Sequence, residues 1–341
     1  MFFTLERYAV RVGTRYLRRY FSKNTDVLTN EPQEFVLRAD EDFKLLRREG
    51  HKSLKIAILG APNVGKSTIV NRLARRLICP ASSKVHTTQA KADAVYCEGD
   101  TQLIFMDTPG MVCEKDHKQY RLASSFKNDP QDCLKASDIV GIVQDAGNVH
   151  TRDRIDPNVL ELLKLTKDIR NQISLILIFN KVDRVKKKEL LLHLIRVITE
   201  SKKSLNFSDV FMLSALTGNG IDDLRTYLLD SAKPRDWCYE EHVYSDHTCE
   251  DIIQQTVRAK LLDDLPNEVP YKLHVKLEHF DVGPDDSIAA LVSVTCPTKR
   301  IMNLLLHARG NRIRDIAVRA EQELRNAFRT SVRLKIGVQT T

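Results

Sequence analysis

The chain has 341 residues, 42% of them hydrophobic and 29% charged, with a formal net charge of +8. These values suit a globular protein of two domains, and the longest apolar run, ISLILIF, is strand-sized and far short of the about 20 residues a spanning helix needs. Seven cysteines, scattered and without a CxxC pair, argue against a zinc site or a disulfide framework and point to a reducing compartment.

Residues 1–22, MFFTLERYAVRVGTRYLRRYFS, carry Arg7, Arg11, Arg15, Arg18 and Arg19 against the single acid Glu6. An Arg-rich, acid-poor, amphipathic leader is the signature of an organellar transit peptide. A retained basic arm for nucleic acid or membrane is the alternative. RRYFS is similar to a mitochondrial processing site, which sets cleavage near Ser22. Residues 23–52 are polar and read as a linker.

LKIAILG (54–60) is an apolar run ending in glycine, and Ile69, Val70, Leu73 and Leu77 after it keep helical spacing. Strand, glycine loop and helix are predicted in that order. Further strand-like runs lie at 101–107, 138–146, 174–180 and 209–215, with helical stretches at 157–169 and 187–203. This alternation predicts an α/β domain over 53–232, a mostly parallel sheet covered by helices. Residues 233–250 lack periodicity and read as a second linker. From 251 to 341 the predicted order is helix, strand, strand, helix, helix, strand, a smaller α+β unit.

GAPNVGKS (60–67) fits the phosphate-binding pattern G-x-x-x-x-G-K-S in its confirming context, between a strand and a helix. Gly60 and Gly65 let the backbone wrap phosphates, Lys66 reaches the β/γ-phosphates and Ser67 ligates Mg2+. DTPG (107–110) follows a strand, which sets Asp107 to hold Mg2+ through water and Gly110 to offer its amide to the γ-phosphate. NKVD (180–183) ends another strand. Asp183 suits guanine because a carboxylate accepts from both N1–H and the exocyclic amine, with Asn180 and Lys181 beside it. SAL (214–216) ends the next strand, where Ser214 and Ala215 complete the set and the Ala215 amide faces the guanine O6. A P-loop metabolic enzyme using ATP is the competing class, and NKVD argues against it.

The series GAPNVGKS–TTQ–DTPG–NKVD–SAL resembles the motif set of translation-factor-class GTPases, and in particular the Era branch. That family ends in a KH domain, and RAKLLDDLPNEVPYKLHVKLE (258–278) is similar to its entry into that domain. The resemblance covers 54–338 and, with the Arg-rich leader, extends to mitochondrial members. It implies a P-loop GTPase domain followed by a type II KH-like domain. Within SSKVHTTQ (82–89) it implies a switch segment whose Thr88, with Thr87 as the alternative, senses Mg2+; Gln89 stands where the family carries a basic residue. Met111 stands where some GTPases hold a water-orienting glutamine, so slow intrinsic hydrolysis is expected and no catalytic base is assigned. Asn63 matches an asparagine that helps place K+ in related GTPases.

Between Lys299 and Lys335 ten basic residues face only Asp315, Glu321 and Glu323. Clustered cations of this kind favour nucleic acid through counterion release; a solvated charged helix is the plainer reading. The resemblance to KH implies RNA contacts at His307, Arg309, Gly310, Arg312 and Arg314, with His307 where the first glycine of a G-x-x-G clamp is expected. The function implied is a GTP-driven switch that chaperones small-subunit rRNA in the mitochondrial matrix. GTP/GDP, the small ribosomal subunit, Mg2+ and K+ are its implied partners and ions, peripheral inner-membrane association is an option, and DNA is not expected. A GTP-binding scaffold for membrane or RNA-modification complexes is the alternative.

Overall fold

The structure, a computed structural model, describes residues 50–80, 82, 92–107, 125–165, 173–200, 205–266, 268–307 and 310–340. The expectations for the leader and for Thr87, Thr88, Gln89, Arg309, Gly110 and Met111 lie outside the described residues.

The first sheet is built on β1 (Lys52–Leu59), with β3 (Thr101–Asp107) parallel on one side and β4 (Ile139–Asp145) parallel on the other. Beyond β4 follow β5 (Ser174–Asn180) and β6 (Asp209–Met212), both parallel. Successive side chains of these strands point to opposite faces, and both faces are covered, so the strands read as continuous apolar runs rather than alternating ones. On one face Ile56, Ile58, Phe105, Ile176 and Ile178 pack with α1 (Lys66–Leu73) and α5 (Ile221–Asp230). On the other, Ala57, Leu59, Met106, Val140, Leu177 and Phe179 pack with α2 (Ser125–Ala136), α3 (Pro157–Leu165) and α4 (Lys188–Thr199). Each fully buried side chain of this size contributes about 1.5–3 kcal/mol.

One edge of this mostly parallel sheet is antiparallel. β2 (Ala92–Glu98) runs antiparallel to β3, and its outer edge is covered by the stretch read as a linker: Val95 donates to the Tyr244 carbonyl at 2.9 Å and Ala94 bridges Ser245. That stretch is a strap held by side chains from elsewhere. β7 (Lys233–Pro234) pairs with the start of β1, Trp237 stacks on His51 at 4.6 Å, and Tyr239 donates to Asp93 at 2.8 Å. Asp138 anchors it, accepting from Arg235 at 2.9 and 3.1 Å, from Lys233 at 3.3 Å and from the Lys55 amide at 3.0 Å. Burial alone would raise the Asp138 pKa, but the Arg235, Lys55 and Lys233 contacts outweigh it and hold the carboxyl below the usual range. Asp138→Asn is therefore expected to cost about 1–3 kcal/mol in urea denaturation at neutral pH. Because the folded pKa is the lower one, this stabilisation is present above the unfolded pKa of about 4 and is lost as pH falls through the folded value. A difference between the two proteins that persists unchanged in acid would refute the assignment.

The second unit starts with α6 (Cys249–Asp264), whose Thr248 and Asp251 form a reciprocal capping box. β8 (His274–Val282) and β9 (Ile288–Cys296) form an antiparallel pair. α7 (Lys299–Leu306) and α8 (Asn311–Phe328) then cross over to β10 (Val332–Thr340), which lies parallel to β9. Ile316, Ala320, Leu324 and Phe328 of α8 meet Val292, Val294 and Leu334 of the sheet in the core. No helix among the described residues is long and apolar enough to cross a membrane.

Candidate nucleotide site and nucleic-acid interface

Four strand ends converge on one crevice. The register sets Ile58 beside Asp107 and Asp145 beside Asn180, where the chain switches from β3 on one side of β1 to β4 on the other. Such a switch point is the usual ligand crevice of an open α/β sheet. The loop after β1 begins and ends on glycines that no other residue could replace. A Cβ on Gly60 would lie 2.6 Å from the Val143 carbonyl, and one on Gly65, at φ 97°, would lie 2.3 Å from the Asn180 side-chain nitrogen. Lys66 is buried, and its ammonium donates back to the carbonyls of Gly60 at 3.2 Å and Ala61 at 3.1 Å. Burial lowers its pKa to about 8, against the opposing pull of Asp107 and Asp156. A phosphate entering the loop would add negative charge beside this ammonium.

Asp107 is fully buried, and neither of its carboxylate oxygens has a hydrogen-bonded donor among the described residues. Desolvation raises its pKa, although the Ser67 hydroxyl and the Lys66 charge nearby favour the ionised form. A buried carboxylate with only the Ser67 hydroxyl and the Cys79 thiol near it among the described residues is incompletely satisfied, and a divalent cation shared with Ser67 is the group that would complete it. The residues present fit Mg2+.

Asn180 proves to be a keystone. It is buried; its Nδ2 donates to the Val64 carbonyl at 2.8 Å, and its Oδ1 accepts from the amides of Lys181 at 2.8 Å and Ala215 at 3.0 Å. One side chain thus ties the phosphate loop to the loops after β5 and β6. The Ala215 amide, expected to face guanine O6, is directed to this asparagine. The Ser214 hydroxyl shapes its own turn, accepting from Thr217 at 3.2 Å. Lys181 sits at φ 62° and reaches back, its ammonium donating to Asn63 O at 2.6 Å and to Asp145 at 2.7 Å. Asp145 carried no signal in the sequence, since it is one polar residue ending an apolar strand. Asp183 lies exposed in the one-turn 3-10 segment of residues 182–184.

The phosphate loop, the buried Asp107 carboxylate and the exposed Asp183 thus stand at the carboxyl ends of neighbouring strands, and comparison with known proteins defines the lineage. The model of the 50S ribosome-binding GTPase family matches residues 55–181. The mitochondrial GTPase Era of Danio rerio is 31% identical over 369 aligned positions, spanning 92% of this chain and 82% of that protein. The chain belongs to the Era family of GTPases. GTPase Era of Mesorhizobium japonicum is likewise 31% identical, across 83% of this chain and 87% of its own. A crystal structure of Era with MgGDPNP and nucleotides 1506–1542 of 16S ribosomal RNA matches with a TM-score of 0.72 at 25% identity, over 85% of this chain and 94% of that one. The protein is therefore a GTP-hydrolysing enzyme with a P-loop GTPase fold followed by a KH-like unit.

In the Era family chain the α7–α8 junction revises the reading of several basic residues. Arg312 donates to the Leu304 carbonyl at 2.8 Å and pairs with Asp264 at 3.2 Å, so it braces the loop against α6 instead of projecting outward. Arg319 also pairs with Asp264, at 2.6 Å, and Arg325 with Glu321 at 2.5 Å. Arg300 and Arg314 are exposed and make no ion pair among the described residues. Gly310 caps the start of α8 at φ 77°.

His307 is exposed and ends α7 at φ 52°, ψ −162°, a backbone region visited almost only by glycine. The backbone has kept a glycine conformation where the residue has a side chain. Such strain costs on the order of 1–3 kcal/mol, partly offset by the about 0.5–1 kcal/mol of extra chain freedom a glycine loses on folding. His307→Gly is expected to raise stability by about 1 kcal/mol in thermal or urea unfolding. A loss of stability would mean that the imidazole is doing compensating work in the fold.

Proposed function

We propose that this GTPase is a GTP-driven RNA-binding switch that chaperones small-subunit rRNA during mitochondrial ribosome assembly. The observation that carries the proposal is the likeness to an Era structure holding both a GTP analogue with magnesium and a 16S rRNA segment. Residues 1–22 act as the transit peptide to the matrix, 53–232 as the switch and 251–341 as the RNA-binding unit, joined by the segments between them. GTP is held at Gly60, Gly65, Lys66 and Gly110, and guanine is selected by Asp183 within the frame that Asn180 and Lys181 build. Ser67, Thr88 and Asp107 hold Mg2+, which when bound neutralises charge on the β- and γ-phosphate oxygens. With Met111 in place of a water-orienting glutamine, intrinsic hydrolysis is slow. RNA meets the α7–α8 loop at His307, Arg309 and Gly310, with Arg314 alongside and Arg312 bracing from behind.

Crosslinking of RNA to the protein in cells tests the proposal: recovery of small-subunit rRNA is expected, and a GTP-binding protein that crosslinks none would leave the scaffold reading in its place. Asn63, at φ 61° in the phosphate loop, is assigned to K+. Single-turnover hydrolysis is expected to be faster in K+ than in Na+ and to lose that preference in Asn63→Ala. Equal rates in the two salts would remove K+ from the mechanism.

A further inference from the structure

Away from the crevice, the far end of α1 carries a second concentration of charge where the two units meet. Arg76 donates to the Ala327 carbonyl at the end of α8 at 3.3 Å, and Arg329 donates to the Arg75 carbonyl at 3.4 Å. Arg76 lies over the Tyr244 ring at 4.3 Å, while Arg75 and Arg225 both lie over Tyr96 at 5.8 and 5.6 Å. Arg225 is buried, paired with Asp222, and caps α1 through the Arg72 and Leu73 carbonyls at 2.9 and 3.3 Å. Glu98 is engaged by the Tyr96 hydroxyl.

Helix C-termini attract cations, and that accounts for one donor each on Arg76 and Arg329. It does not account for the rest. Arg75 and Arg329 are exposed, and none of Arg75, Arg76 and Arg329 has an ion pair with a carboxylate among the described residues. Burial, and then the charge of Arg329 itself, push the Arg76 pKa down, so like charges from two units are set against each other. Arg75 and Arg76 each lie over an aromatic face, Arg329 stands against Arg76, and the donors these guanidinium groups keep beyond one carbonyl contact suit a phosphate.

We propose that Arg75, Arg76 and Arg329 form a second phosphate-binding site at the junction of the GTPase and KH-like units, engaging the RNA backbone beyond the α7–α8 loop. This rests on the RNA-binding reading above. The site touches both the helix that begins at the phosphate loop and the helix that begins at the RNA loop. Bound RNA would therefore brace α1 against α8.

The test measures binding of a labelled RNA carrying the 16S segment of nucleotides 1506–1542 as a function of salt, for wild type, Arg75→Gln, Arg329→Gln and the double variant. Arg76 is left intact because it is part of the packed junction. For a single-stranded contact the slope of log K against log salt should fall by about 0.7 for each arginine lost, with GTP affinity unchanged. Arg75→Lys and Arg329→Lys should keep the slope. If wild type and double variant bind this RNA with equal slopes, the junction site is overturned while RNA binding stands. If wild type binds no RNA, both readings fall together. If inorganic phosphate raises the thermal midpoint of wild type but not of the double variant, and the RNA slopes are equal, the cluster is a small-anion site and the RNA assignment is wrong.

Discussion

Asp183→Asn is expected to lower GTP affinity by about 10²–10⁴-fold and to bring xanthosine triphosphate into the range the wild type shows for GTP. Asp183 is exposed in the middle of a single turn, and a carboxylate can accept two hydrogens from guanine, from N1–H and from the exocyclic amine. Hydrogen bonds to a charged group contribute about 1.5–3 kcal/mol each, which converts to the fold-change above. An asparagine accepts one hydrogen and donates another, so it matches xanthine, which has a carbonyl in place of the amine. Because the side chain is exposed, the substitution should leave the unfolding midpoint within about 0.5 kcal/mol of wild type. Isothermal titration with the two nucleotides reads the switch. Unchanged GTP affinity would show that the base is recognised elsewhere.

Asn180→Ala, three residues away in the same motif, should behave differently. Its side chain makes three hydrogen bonds in a buried setting, to the Val64 carbonyl and to the amides of Lys181 and Ala215. Removing it leaves those partners unsatisfied at about 1–3 kcal/mol each. A stability loss of about 3–5 kcal/mol is expected in urea denaturation, toward the upper end of single substitutions. Nucleotide affinity should fall for GTP and GDP alike, with no gain for xanthosine triphosphate, because the phosphate loop loses its support at Val64. A variant as stable as wild type with only a changed base preference would mean that Asn180 reads guanine and does not brace the loops. The two predictions divide one short motif into a residue that selects and a residue that holds.

The legible and illegible parts of the molecule differ in a physical way. GAPNVGKS, DTPG and NKVD were readable because each is contiguous and ends a strand whose two buried faces leave an unbroken apolar run. The helix–strand–strand–helix–helix–strand order of the second unit was readable through a different local signal, alternation in β9 and helical spacing in α8. β2 was not, because its one sheet partner is antiparallel and its outer edge is closed by chain about 150 residues later, a pairing that leaves no local periodicity. The strap at 233–246 looked like a linker because Asp138, Gln102 and Asp93 order it, and none of them is near it in sequence.

The sequence by itself determined the nucleotide chemistry, the preference for guanine, the order of the two units and the basic character of the second, since each depends on residues within a few positions of one another. Only the tertiary structure decided what those residues do to each other. It assigned Asn180 to bracing, joined Lys181 to Asp145 and Asn63, turned Arg312 inward onto Asp264, and set Arg76 against Arg329. It also showed His307 in a glycine's backbone conformation. Charge and hydrogen-bonding capacity are properties of a residue, whereas the partner that consumes them is chosen by proximity in space, which the chain acquires only when folded.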